Sequence, residues 1–383
     1  MRKMARAFGL DGMARAAVTR RIDKLRAKEA RGGTEEGAEP APGADADEDA
    51  GGLGGPDPLL GFVVVKELSR ISPGFAMGWG VSLGLAAGAI LSRGSADQIE
   101  RWALPLVTME KIGSWCLTEP GAGSDAFGSM QTTARPRGGD DAGYVLRGSK
   151  TFITNGPGAD LFVVYARVDR GEPREDQPVA AFVVERDTPG FTVGPPFKKM
   201  GMRDSPTSEI FFDDVELPAA HLLGGSERGR GGRQDTKQNL ASERSAVPAM
   251  AWGIIERCYE QSLAHARERQ QFGRPIGEFQ AIKLKLADMF IKLKNVENLV
   301  FRTAWMQREK RRDPAFVNAS KAYAAVAAVE VAMTAIQIHG GYGYMEDVGL
   351  EKLARDAKLL ELGAGTTDIN LLAAARSELA RGT

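Results

Sequence analysis

The feature that most restricts the fold is a double change of pattern along the chain. Up to Lys111 the apolar residues recur at helical spacing. From about 113 to 232, β-rich runs alternate with Gly, Pro and Asp turns, and from Thr236 onward helical spacing returns. A helix and a strand bury apolar residues at different periods, so a stretch that changes period changes the kind of layer it belongs to. The order helices, strands, helices makes this an α+β chain with three parts: an N-terminal helical domain over 1–112, a β domain over 113–232 and a C-terminal four-helix bundle over 233–383. A chain of 383 residues is long enough for domains of that size with cores of their own.

Within this frame, Met4, Phe8, Met13, Val18, Ile22 and Leu25 predict a helix over the first thirty residues. The stretch is Arg-rich like a mitochondrial transit peptide, but Asp11, Asp23 and Glu29 favour an ordinary helix. Residues 31–57 are Gly, Pro, Ala and acidic residues and read as a flexible acidic loop. Residues 58–72 form a helix stopped by Ser72-Pro73-Gly74, 75–92 a buried helix, and Ser95 caps a helix from Ala96 to Thr108. Strands are expected at Tyr144–Leu146, Lys150–Ile153, Leu161–Ala166, Val179–Val184, Phe191–Val193 and Glu209–Val215, then a polar connector over 224–235. Long helices follow at Met250 to Gln270, Phe279 to Gln307 and Pro314 to His339, with Pro248 in the first turns of the first.

Fifty basic residues balance fifty acidic ones, which argues against a nucleic-acid or membrane-surface binder. Two cysteines fit a reducing compartment, and with three scattered histidines they supply too few ligands for a metal site, so no metal is expected. No apolar run reaches the length of a membrane span, the nearest being Gly74 to Leu91, so no membrane partner is expected. A cytoplasmic location is preferred to the mitochondrial matrix.

Six stretches carry chemistry. Leu117-Thr-Glu-Pro-Gly-Ala-Gly-Ser-Asp125 forms a tight turn whose backbone N–H groups can face an anion, although alone it reads equally as a helix stop. Lys150-Thr-Phe-Ile-Thr-Asn155 places an aromatic two residues before a hydroxyl; a core Phe in a strand is the plain alternative. Gly201-Met-Arg-Asp-Ser205 follows two lysines, Lys198 and Lys199. Arg269-Gln-Gln-Phe-Gly273, with Gln280 beyond it, offers a guanidinium for a diphosphate. The last two are Gln337-Ile-His-Gly-Gly-Tyr-Gly-Tyr344 and Glu361-Leu-Gly-Ala-Gly-Thr-Thr-Asp-Ile369.

In this order the six stretches resemble the acyl-CoA dehydrogenase family, and the resemblance covers essentially the whole chain apart from the 31–57 insert. It implies FAD as cofactor, although no Rossmann glycine motif is present. By the same resemblance Leu117 and Thr118 line the flavin ring, with Gly123 in the turn beside it, and Ser124 contacts a flavin phosphate or the acyl-CoA. Phe152 stacks on the flavin, where many members carry Trp, next to Ile153, and Thr154 donates to flavin N5. Arg269, Phe272 and Gln280 belong to the FAD site, Thr366 and Asp368 lie on the cofactor side, and Gln337, Gly340 and Gly341 reach the cofactor of a neighbouring subunit, which implies a homotetramer. His339 reads as structural.

Most members place a catalytic glutamate immediately before the late Gly-Thr pair, where this chain has Ala364. A minority, resembling isovaleryl-CoA and long-chain dehydrogenases, place it in a Glu-Arg pair that opens the C-terminal bundle, and here that pair is Glu243-Arg244. The resemblance therefore implies Glu243 as the α-proton base, Arg244 as a substrate-positioning residue and the Ala364 backbone N–H as a donor to the thioester oxygen. Ala241, where the isovaleryl type usually has an acidic residue, is a departure; Glu361 and Asp368 are weaker candidates for the base. The implied activity is dehydrogenation of an acyl-CoA to the 2-enoyl-CoA, with electrons passed to an electron-transfer flavoprotein. The alternatives are an FAD-binding member with lyase or desulfinase-like activity, or a non-catalytic partner subunit.

Overall fold

The computed structural model describes residues 1–7, 9–30, 57–138, 142–225, 227 and 233–382, without the side chains of residues 5, 10, 29, 233–243 and 382. The expected acidic loop lies, but for Asp57, outside the described residues. Helices α1 (Arg2–Ala7), α2 (Leu10–Ala30), α3 (Pro58–Ser69) and α4 (Pro73–Gly80) come first. A π-helical stretch, Val81–Ala87, joins α4 to α5 (Gly88–Arg93). After α6 (Ala96–Gln98), a second π-helical stretch, Ile99–Ala103, leads to α7 (Leu104–Val107). Ser95 caps α6 as its sequence predicts, in a reciprocal capping box with Gln98. Ser72-Pro73-Gly74 does more than stop α3. The Ser72 hydroxyl accepts from the Phe75 N–H and so caps α4, with Pro73 at its first position.

Seven strands form one sheet: β1 (Gly113–Cys116), β2 (Thr133–Pro136), β3 (Tyr144–Thr154), β4 (Leu161–Val168), β5 (Val179–Glu185), β6 (Phe191–Val193) and β7 (Thr207–Leu217). The two expected runs at Tyr144 and Lys150 are one long strand, and β1 and β2 are additions to the sequence reading. Strand β4 pairs antiparallel with β5 along its length. Because a strand has only two edges, its other edge serves β1, parallel from Leu161, and then β2, parallel at Arg167 and Val168. Every residue of β4 is buried, as expected of a central strand.

Beyond the sheet lie α8 (Arg233–Glu268), a short hairpin of β8 (Gln270–Gln271) and β9 (Arg274–Pro275), and then α9 (Gln280–Arg308), α10 (Pro314–His339), α11 (Leu350–Leu362) and α12 (Thr367–Leu379). Helix α8 begins some four turns before Pro248, so that proline sits inside the helix and not in its first turns. Its cost is the missing N–H, which leaves the Arg244 carbonyl without its helical donor.

The described residues form two compact units. The first draws on 1–52, 78–197 and 205–239; the second on 53–77, 198–204 and 240–383. In the first, the inward faces of the sheet bury Leu146, Phe162, Val164, Phe182 and Ile210. In the second, small residues fill the buried face of α10: Ala324, Ala325, Ala328, Ala332 and Ala335 are fully buried, which lets helices approach closely. Helix α3 joins this unit by charge as well as by packing, Arg70 pairing with Glu260 at 2.6 Å. Gly201 of the third motif packs on the Arg355 carbonyl, so close that a Cβ there would lie 2.3 Å from it. Two helical stretches, Pro73–Arg93 and Pro314–Tyr344, are long and apolar enough to cross a bilayer, contrary to the sequence expectation. More than half of each is buried inside the protein, as in core helices.

Candidate active site

The sequence-predicted residues of the first unit gather on two adjoining pieces of backbone. Thr151 N–H donates to Thr118 O at 2.9 Å, which sets the 117–125 turn beside β3. The turn is closed by a buried carboxylate. Glu119 Oε2 accepts from Gln131 N–H at 2.6 Å, and Oε1 from Thr132 N–H at 3.0 Å and from the Lys150 ammonium at 2.7 Å. Lys150 also donates to Leu117 O at 3.1 Å. The Arg167 guanidinium holds the far limb of the loop by the Phe127, Gly128 and Met130 carbonyls. Burial pushes the Glu119 carboxyl up, but the Lys150 ammonium and the hydrogen bonds outweigh it and hold it below its ordinary value. Burial lowers Lys150 in turn, against the pull of Glu119. The geometry favours the charged carboxylate, whose two oxygens take three N–H donors.

This frame leaves the tip of the turn free. Leu117 is buried and Thr118 half-buried, while Gly123 and Ser124 are exposed, with open space above Gly121. In β3 the register slips against β7 between Lys150 and Ile153. The extra residue of that bulge is Phe152, at φ 57°, and it turns its ring outward, 69% exposed, while Ile153 is buried. An exposed ring in the left-handed region is not a core Phe, so the plain alternative for Phe152 falls. Thr154 follows, its carbonyl held by the Ser114 hydroxyl at 2.8 Å.

In the second unit, the 361–369 stretch is a turn between α11 and α12. Ala364 and Gly365 both have positive φ, 55° and 85°, and Thr366 caps α12, its hydroxyl accepting from Ile369 N–H. Among the described residues the Ala364 N–H donates to nothing. Its carbonyl accepts from Arg244 Nε at 3.1 Å, and Arg244 Nη1 donates to Asn318 Oδ1 at 3.1 Å. The two positions at which a base was expected are therefore neighbours in space: Arg244 of α8 reaches across to the turn that carries Ala364. The backbone of Glu243 is helical, and its side chain lies outside the described residues. Of the weaker candidates, Glu361 is taken up by Lys358 and Asp368 is exposed at the start of α12.

A third group of expected residues borders a cleft of about 500 Å³ at the other end of the same unit. Arg269, His265, His339, Gly340, Gly341 and Tyr342 line it, with Arg269 lying over the Tyr342 ring at 5.8 Å. Gln337 is exposed in the last turn of α10 and Gln280 is exposed at the first residue of α9. Phe272 and Gly273 both have positive φ, as a tight two-residue hairpin of this hand requires, and Phe272 is 92% exposed. His339 is buried and bonded through Nδ1 to Ala335 O, which fits a structural role, and it stacks on His265 at 4.3 Å. Sequence reasoning gave no role to Glu119, Lys150, Lys321, Asn318 or Asn370. The available signal was a charge inside an apolar run, as with Lys321 in the Ala-rich stretch of α10.

Three family models match this chain: the acyl-CoA dehydrogenase N-terminal domain over residues 1–110, the middle domain over 114–215 and the C-terminal domain over 229–379. The mitochondrial isovaleryl-CoA dehydrogenase of Arabidopsis thaliana is 35% identical over 338 residues, 87% of this chain and 79% of the relative. The solved structure of butyryl-CoA dehydrogenase from Megasphaera elsdenii superposes with a TM-score of 0.80 at 36% identity, covering 87% of this chain and 86% of that one. The FAD complex of PigA does so with a TM-score of 0.79 at 30% identity, over 85% and 83%. The fold, the ordered motifs and these likenesses agree over most of the chain, which belongs to the acyl-CoA dehydrogenase family.

Proposed function

We propose that this enzyme, an FAD-dependent acyl-CoA dehydrogenase, converts an acyl-CoA thioester to the 2-enoyl-CoA with Glu243 as the base that takes the α proton. The observation that carries the assignment is the Arg244 to Ala364 hydrogen bond. It brings the Glu-Arg pair to the turn whose own residue has no carboxylate. The half-buried Arg244 guanidinium fixes that turn through the Ala364 carbonyl. The free Ala364 N–H is a donor for the thioester oxygen, which gains negative charge as the proton leaves.

The chain's own residues fit the cofactor. The exposed Phe152 ring offers a stacking face, Thr154 a hydroxyl for N5, Thr118 and Ser124 hydroxyls, and the open glycine turn lets backbone N–H groups approach an anion. Arg269, beside the glycines of the 500 Å³ cleft, suits a diphosphate. When bound, FAD supplies the two-electron oxidation and takes the β hydrogen as hydride. An electron-transfer flavoprotein is the acceptor in this reading, and the assembly is a homotetramer; exposed apolar side chains on α9, among them Leu284, Phe290 and Ile291, support a surface that another subunit covers.

The test is an anaerobic titration of the holoenzyme with short straight-chain, branched, alicyclic and long acyl-CoAs, following the visible absorbance of the flavin. Wild type bleaches with one class, and Glu243→Gln slows that bleaching by at least about a thousandfold, because base removal is lost with binding retained. Equal rates in the two proteins refute Glu243. A flavin that no thioester bleaches refutes dehydrogenation in favour of a lyase-type or non-catalytic role.

A further inference from the structure

Lys321 is fully buried in α10, in a run of alanines, and the fold gives it a specific task. Its ammonium donates to Gly365 O at 2.6 Å, one residue beyond Ala364. Asn370, also fully buried, donates from Nδ2 to Gly365 O at 2.8 Å and to Thr366 O at 2.9 Å, with Ala364 O at the edge of its reach, 3.5 Å. Arg244 holds Ala364 O from the other side, oriented by Asn318, which is itself anchored to Pro314 O at 2.6 Å. Thus three consecutive carbonyls of the turn are fixed by three side chains from three different helices.

Such fixing is needed, because an L-residue at φ 55° lies above its relaxed state by about 1–2 kcal/mol and keeps that conformation only where the surroundings over-determine it. A neutral amide, Asn370, already serves Gly365 O. A charged donor makes the stronger hydrogen bond, so the ammonium holds that oxygen more firmly than the amide does alone.

We propose that Lys321 is a positioning residue for the reaction: its hydrogen bond to Gly365 O locks the Ala364 turn so that the Ala364 N–H is aimed at the thioester oxygen. The proposal rests on the reading of Ala364 as the carbonyl donor. It requires no contact between Lys321 and substrate, and no chemistry by Lys321 itself.

The experiment follows carbonyl polarisation directly. The holoenzyme is mixed with a carbonyl-labelled 2-enoyl-CoA, 2-butenoyl-CoA or its 3-methyl homologue according to the thioester that bleaches the flavin best, and the C=O stretch is read by infrared difference spectroscopy. Wild type lowers that frequency relative to the free thioester. Lys321→Met and Asn370→Ala both lose most of the lowering, and Lys321→Arg retains part of it. In the same proteins, flavin reduction at saturating acyl-CoA slows by about tenfold or more in Lys321→Met, with KM within about threefold of wild type, as expected when only transition-state interactions are lost. No lowering in wild type overturns the Ala364 reading itself. Lowering in wild type that persists undiminished in Lys321→Met, or in Asn370→Ala and Lys321→Arg should Lys321→Met not fold, overturns the role of Lys321 and leaves Ala364 standing.

Discussion

In the first unit, the Lys150 ammonium meets the Glu119 carboxylate at 2.7 Å, and the carboxylate closes a loop by taking two backbone N–H groups at its far end. In the second, the Lys321 ammonium meets a backbone carbonyl, Gly365 O, at 2.6 Å, with an amide beside it on the same oxygen. Both lysines are fully buried and both hold a turn that bears expected site residues. The first arrangement places a cation on a carboxylate that closes a loop of the fold. The second directs a cation at the backbone of a strained turn. The difference separates a lysine that is needed for the loop to exist from one that is needed for the turn to point in the right direction.

The largest effect that follows is on Lys150. Lys150→Met leaves Glu119 buried without its cation, and removing one member of a buried pair costs about 3–5 kcal/mol. Glu119→Gln combined with Lys150→Met removes both charges and recovers most of that loss, since a neutral replacement of a buried pair is often close to neutral in stability. Denaturant unfolding of the two variants checks this. Lys321→Met, by contrast, is expected to change rate and carbonyl polarisation more than stability. If Lys321→Met unfolds as readily as Lys150→Met, the two lysines are alike and the comparison breaks.

Next in size is the response to acid. Glu119 is held below its ordinary 4.5, so the folded state binds a proton less readily than the unfolded chain. Its contribution to stability is complete above 4.5 and is lost as pH falls through the window below that value. Stability measured from pH 7 downward falls below pH 4.5 in the wild type, and this part of the fall is absent from the doubly neutral Glu119→Gln, Lys150→Met protein. An identical acid profile in both proteins removes the ionised pair as the cause.

The same contrast explains how much the sequence revealed. Lys150 lies within a recognisable stretch, yet its burial follows from the bulge opposite β7, which fixes which of residues 150–153 point inward. A period-two pattern does not show where a register slips. Lys321 is conspicuous as a charge among alanines, but it donates to Gly365 O, 44 residues on, and periodicity carries no information about such pairings. The helix–strand–helix order, the cap at Ser95 and the long bundle helices are local properties and were legible. Strands β1 and β2, of four residues each with no clean alternation of burial, were not. The meeting of Arg244 with Ala364 was legible only as a resemblance, because the absence of a carboxylate at 364 has meaning only beside a carboxylate elsewhere.

The smallest effect sharpens the comparison furthest. Ala364→Gly relieves the left-handed conformation, a gain of about 1–2 kcal/mol, and adds backbone freedom to the unfolded chain, a loss of about 0.4–1 kcal/mol. The net change in stability is therefore expected between zero and a gain of about 1.6 kcal/mol, read from the melting temperature of the holoenzyme. The backbone N–H remains. If Lys321, Asn370 and Arg244 set the conformation of the turn, a more flexible residue at 364 is still held in place, and flavin reduction stays within about threefold of wild type, less than 1 kcal/mol of barrier. If the turn owed its geometry to the residue at 364, the glycine would loosen it, and the rate and the carbonyl frequency would both move toward those of Lys321→Met. That outcome would transfer the control of the donor from the bundle side chains to the turn itself, and with it the distinction between the two buried lysines.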